Sequence, residues 1–212
     1  MNMAFVLKTF ITFFTVIDPL GLVPVTLVIL ANNNRKQRTQ IITRAVIISA
    51  FVIAAFALIG KVLIESLGIG LYAFNIAGGI LLFLIALEML FGRTPGTRET
   101  VQEEKEAIAK NDVSVFPLAI PMIAGPGTIA TTILFANSAA SNVFNILVVI
   151  AAIIFCLFVA WIAMEKSALI IKFIGRTGIH VFSRILGILL AALAVQFILN
   201  GVQAFLKLNG LI

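Results

Sequence analysis

Long apolar runs alternate with short polar breaks along this chain, and that pattern predicts six helices. Each run is about as long as the roughly 20 residues a helix needs to cross a bilayer. The runs fall at about 5–31, 42–64, 69–91, 114–137, 143–164 and 182–206. Barrel strands would be near 10 residues and would alternate in polarity, so these are helices. The only long polar stretch lies at 92–113. It divides the chain into a three-helix unit at 1–91, a connector, and a second three-helix unit at 114–212. Within the connector, Thr100 and Glu103 have capping-box spacing, which allows a short surface helix.

Composition makes the membrane reading firm. Of 212 residues, 61% are hydrophobic and 11% charged. Soluble domains carry about 25% charged residues. So few charges cannot cover the surface of a soluble domain this size, and disorder or a fibrous protein is equally excluded. The single cysteine, Cys156, permits no internal disulfide and no cysteine-based metal site. No cofactor motif is present, and none is expected.

The net charge of +6 would suggest nucleic acid in a soluble chain. Here it reports topology instead. The connections after the first, third and fifth segments hold Arg35, Lys36, Arg38, Arg44, Arg93, Arg98, Lys105, Lys110, Lys166, Lys172, Arg176 and Arg184. The other side holds Lys8, Lys61 and Lys207. Twelve against three predicts a cytoplasmic connector, with both termini on the outer side of a bacterial inner membrane. The first segment is expected to be a retained helix rather than a signal peptide. No basic residue precedes Lys8, Asp18-Pro19 interrupts the apolar run, and the basic cluster follows it.

Three helices per unit is an odd number, so related halves would form an inverted repeat. A shift of 108 aligns Phe74, Gly79, Ile80, Leu81 and Leu82 with Phe182, Gly187, Ile188, Leu189 and Leu190. It also pairs Ala86 with Ala194 and Glu88 with Gln196. The expected fold is therefore an all-α integral membrane protein with two inverted three-helix repeats.

The chemistry concentrates in the first and fourth segments. One contains Asp18, Pro19, Gly21 and Pro24. The other contains Pro117, Pro121, Gly125, Pro126, Gly127 and Thr128. Proline removes a backbone donor and glycine weakens the helix, so both segments are expected to break near mid-membrane. In each, the second half is expected to start with proline at its first position, with Asp18 or Gly125 as the cap. Freed backbone groups cannot face lipid. They face protein or a cavity, and paired breaks of this kind point to a transporter's site. Half-helix N-termini suit an anionic group and freed carbonyls suit a cation. Asp18 can serve as a proton or amine site, or simply as an N-cap. Asn75, Gln196 and Asn200 are expected to line the same cavity or to bond between helices.

These residues carry a resemblance. Asp18-Pro19-Leu20-Gly21 to Pro24, Ile76 to Leu81, Pro117 to Pro121 with Ala124 to Gly127, and Gly178 through Arg184 to Gly187 resemble the MarC family (UPF0056). This family comprises small bacterial and archaeal membrane proteins. The resemblance covers essentially the whole chain. It implies membership of the wider LysE-type exporter superfamily, some of whose members are described as transporters of small neutral amino acids. The family name does not itself imply drug efflux.

The expected function is a secondary transporter of a small solute, most plausibly a neutral amino acid, coupled to H⁺ or Na⁺ through Asp18. No Walker segment is present, so direct ATP drive is not expected. The alternatives are export of other metabolites or drugs, a channel, or a non-transporting membrane factor. The chain lacks His-Glu-x-x-His and Gly-x-Ser-x-Gly, and its one histidine is His180, so an enzyme is not expected. Expected partners are the bilayer, the small-molecule solute, H⁺ or Na⁺, and further copies of the chain in a homo-oligomer; nucleic acid is not expected.

Overall fold

The structure, a computed structural model, describes residues 3–91, 113–140 and 142–210. Most of the connector, including the Thr100–Glu103 pair, lies outside the described residues. Helices α1 (Met3–Ile17) and α2 (Leu22–Ile29) share the first apolar span. Then come α3 (Arg35–Ser66) and α4 (Leu71–Phe91). The second half has an irregular helical segment at Ser114–Ile123, interrupted at Phe116 and Ile120, then α5 (Pro126–Ala139), α6 (Val143–Glu165) and α7 (Ser167–Leu208). Five helices among the described residues are long and apolar enough to span a membrane. Counting the Ser114–Ile123 segment with α5, bent by 54°, gives six.

Local chemistry explains the boundaries. Asn34 caps α3 through its side chain, which accepts from the Gln37 N–H at 3.0 Å. Gln37 Oε1 accepts in return from the Asn34 N–H at 3.1 Å. This is a reciprocal capping box. Gly68 ends α3 with φ +70°, its N–H bonding the Glu65 carbonyl, while the Ile69 N–H bonds the Ile64 carbonyl. That Schellman pattern needs a left-handed residue, which glycine supplies without a β-carbon clash. Asn142 caps α6 by accepting from the Phe144 N–H at 2.9 Å. Within α7, Gly175 has φ +70° and ψ 167°. It separates a short leading helix from the long apolar span that contains the expected sixth segment.

The core sits where α1, α5, α6 and α7 meet. Phe135 packs its ring against Phe13 (5.6 Å), Phe197 (5.9 Å) and Phe5 (6.1 Å). Lys8, counted on the outer side by the charge pattern, holds its ammonium 5.0 Å from the Phe197 ring centroid. A ring face attracts a cation at this range.

The most extensive pairing among the described residues joins α4 to α7. Glycines permit it. A β-carbon on Gly79 would lie 2.8 Å from the Ala194 carbonyl oxygen, one on Gly187 would lie 3.1 Å from that of Ala86, and one on Gly201 would lie 2.7 Å from that of Tyr72. Small residues let membrane helices approach at backbone distance, where dispersion is strongest.

Candidate functional site

The first break is built around Asp18. It is the one non-glycine among the described residues with positive φ, at +47°, and only 5% of it is exposed. Proline at the next position disfavours the right-handed helical region for Asp18. Aspartate tolerates the left-handed region better than most residues, because its short side chain bonds locally. Here the Gly21 N–H donates to Asp18 Oδ1 at 3.1 Å. The turn then spans Pro19 to Gly21, and α2 begins at Leu22. This corrects the expectation that the second half starts at Pro19. The left-handed residue swings the chain aside, so three residues are spent before helical bonding resumes. Pro24 lies within the first turn of α2, where its missing N–H costs nothing. The flanking helices have 15 and 8 residues.

At the second break the start of the following helix is as expected. Gly125 is extended (φ −78°, ψ 173°) and Pro126 is the first helical residue of α5. Upstream, Phe116 and Ile120 are also extended. Each precedes a proline, Pro117 or Pro121, which disfavours the helical region for its predecessor. A β-carbon on Gly125 would lie 2.3 Å from the Pro121 carbonyl oxygen. Thr128 reaches back over the break, donating to the Ile123 carbonyl at 2.9 Å. No side chain caps α5. Its first N–H groups, which helix geometry leaves without intrahelical acceptors, make this end partially positive.

The second break borders a small recess, and α1 reaches it through Val16. Val16 of α1, Leu81 and Ile85 of α4, and Gly125, Pro126, Gly127 and Thr128 line a cavity of about 10 Å³. That is room for about one water molecule. Asp18 follows Val16 by two residues. Thr9, Thr12 and Thr15 are buried along α1, and each donates to the carbonyl four residues back at 2.7 Å. On α5, one turn beyond Gly127, the Thr131 hydroxyl is buried without a hydrogen-bond partner.

Two expected site residues lie elsewhere. Asn75 stands at the α4–α7 seam, where a β-carbon on Gly201 would come 3.1 Å from its own. Gln196 is exposed on α7 and bonds Asn200 at 2.8 Å. Neither lines the recess.

Sequence reading missed a polar clasp between the start of α3 and the α6–α7 junction. Arg38 Nη2 donates to the Met164 carbonyl at 3.2 Å and to the Ser167 hydroxyl. Thr39 donates to Glu165 Oε1 at 2.8 Å, and the Trp161 indole donates to Thr43 at 3.0 Å. Arg38 Nε and Glu165 Oε2 are buried there without partners. Its sequence signal was an arginine one turn inside a helix start, which the charge count absorbed as topology. A second missed contact is Ser49, which donates to Ala119 O at 3.3 Å and to Ala45 O at 2.9 Å. It ties the Ser114–Ile123 segment to α3.

Comparison with known proteins bears on the whole chain. The family model for MarC family integral membrane proteins matches residues 3–206. A UPF0056 membrane protein of Methanocaldococcus jannaschii is 34% identical over 206 residues, covering 97% of this chain and 100% of its own. One from Aquifex aeolicus is 32% identical, covering 94% and 93%. Escherichia coli YhcE, a UPF0056 membrane protein, is 31% identical, covering 92% and 91%. No solved structure matches the chain.

Proposed function

The chain belongs to the MarC family of integral membrane proteins, and from that premise we propose that it is a secondary transporter of small neutral amino acids driven by an ion gradient. One observation carries the reading. A buried carboxylate, Asp18, sits at the break of one span, and the uncapped N-terminus of α5 sits at the break of another, lining a recess that also holds Val16, two residues before Asp18. A zwitterion needs an acceptor for its ammonium and donors for its carboxylate. Asp18 supplies the first, and the N–H groups of Gly127 and Thr128 supply the second. Protonation of Asp18, or a cation beside it, couples the solute to the gradient.

Symmetry supports this reading. At a shift of about 108, α1 corresponds to the Ser114–Ile123 segment, α2 to α5, α3 to α6, and α4 to α7. Contacts repeat as well. Gly79 against the Ala194 carbonyl has its counterpart in Gly187 against the Ala86 carbonyl. Leu82 and Leu190, another pair at this shift, are both fully buried. An inverted repeat would generate each of these contacts twice, and transporters of that build bind where the repeats meet. The charge pattern favours both termini outside.

A water-sized recess cannot admit an amino acid, so the broken segments part when solute binds. The Arg38 clasp closes the end that the charge pattern assigns to the cytoplasm. The test is uptake of labelled alanine or glycine into proteoliposomes. Saturable uptake that collapses with the gradient is expected. Uptake rising linearly with concentration would indicate a channel instead, and no uptake of any amino acid would sink the proposal.

A further inference from the structure

Gln196, Asn200, Gln203 and Lys207 follow one another along α7 at steps of four, three and four, and all are exposed. Such steps place side chains in one stripe on a helix. The side of α7 that meets α4 carries Gly187, Leu190, Ala194 and Gly201. At 100° per residue the amides project from the opposite side. The stripe continues inward as Ala192, Leu189 and Ile185, which are also exposed.

This placement is costly if the stripe faces lipid. Gln196 lies about 18 Å along the axis from Leu208, at 1.5 Å per residue. That depth is within the apolar core of the span. Each amide offers two donors and two acceptor lone pairs. The single bond from Gln196 Nε2 to Asn200 Oδ1 leaves most of that capacity pointing outward, where hydrocarbon satisfies none of it.

We propose that this stripe is the interface of a homodimer, with α7 of one copy against α7 of a second about a two-fold axis along the membrane normal. Three features select a second copy as the occupant. Amides are donors and acceptors at once, so like can meet like, as a two-fold interface requires. The steps match the seam along which parallel helices interlock. Ala192, small and level with the inner end of the amides, allows close approach. Lys207 meets its twin only at the helix end, where water solvates both. The dimer does not depend on which solute the chain carries.

The test uses full-length protein with Cys156→Ala, so that added cysteines stand alone. Gln196→Cys, Asn200→Cys and Gln203→Cys, oxidised in native membranes, are expected to give mostly disulfide-linked dimer. Leu58→Cys, on a residue of α3 that is 81% exposed, is expected to stay monomeric. The unsubstituted chain, labelled at one terminus and sparsely reconstituted, is expected to bleach in two steps. Combining Gln196→Leu with Asn200→Leu is expected to shift it to one. Single-step bleaching of the unsubstituted chain would overturn the dimer. So would efficient labelling of the stripe cysteines by a membrane-impermeant maleimide, since that would make the face the wall of an aqueous passage.

Discussion

Gly21 stands so near the Asp18 carboxylate that a β-carbon on it would lie 2.1 Å from Oδ2. The same glycine gives its N–H to that carboxylate. Its bare backbone is therefore what allows the acid to fold back over the break. Gly21→Ala is expected to push the carboxylate off its donor. Loss of a hydrogen bond to a charged acceptor costs about 1.5–3 kcal/mol. A lower midpoint in thermal unfolding, with weakened uptake, is expected. A variant equal to the parent in both would mean the carboxylate needs no such support.

Asp18 combines a structural and an electrostatic part, and two substitutions separate them. Asparagine offers the Gly21 N–H the same kind of acceptor and also tolerates positive φ, so Asp18→Asn is expected to keep the parent's thermal midpoint while abolishing gradient-driven uptake. Asp18→Ala is expected to lose uptake and, in addition, about 1.5–3 kcal/mol of stability with the bond to the Gly21 N–H. Unchanged uptake by Asp18→Asn would remove the charge from the coupling step.

At the second break the glycine and the proline differ in what replaces them. Gly125→Ala drives a β-carbon into the Pro121 carbonyl, which is backbone and cannot rotate away. Overpacking of this kind costs about 1–3 kcal/mol, and the 54° bend is expected to change with it. Pro126→Ala only restores an N–H at a first helical position, where none is required. Its thermal midpoint is expected to stay near the parent's. Equal melting of the two variants would contradict this assignment.

The α4–α7 seam predicts twin effects. Gly79→Ala and Gly187→Ala each place a methyl against a carbonyl of the facing helix, Ala194 or Ala86. Each is expected to destabilise by about 1–3 kcal/mol, and the double variant by less than the sum, because one separation of the helices relieves both. Full additivity in chemical unfolding would argue against a shared seam.

Arg38→Met would strip the donors from the Met164 carbonyl and from Ser167. Leaving a buried polar group unpaired costs about 1–3 kcal/mol. Trp161 belongs to the same junction, bonded to Thr43, so a change in its emission is the expected optical sign. Emission identical to the parent's would show that the junction holds without Arg38.

Much of the fold was legible because hydrocarbon leaves few choices. Apolar runs long enough to span become helices, and the Gly125-Pro126 start of α5 follows from proline's fixed φ. What was hidden depended on one residue's backbone state. Nothing in the Asp18-Pro19 pair announces that Asp18 turns left-handed and delays α2 to Leu22. Prolines at 117 and 121 did carry the signal for extended Phe116 and Ile120, through the constraint proline puts on its predecessor. The positions of Asn75 and Gln196 were not legible, because a polar residue in an apolar run shows no side. Only the packed partner of α7 reveals that Gln196 faces away from the recess. Arg38 looked like one more positive charge until its reach to the α6–α7 junction was visible.

Helix α3 has 32 residues, about 48 Å at 1.5 Å per residue, against a hydrocarbon core of about 30 Å. Its polar Arg35 end therefore extends past the apolar stretch at 42–64 and has the geometry of a lever arm. Ser49, pinned to Ala119, is the fulcrum, and Arg38 rides about 16 Å further along the arm. A tilt of about 10° around that pin would sweep the guanidinium by about 3 Å, enough to pull it off both Met164 and Ser167. A small shift in the Ser114–Ile123 segment would thus become a hydrogen-bond-sized stroke at the far end of a stiff rod.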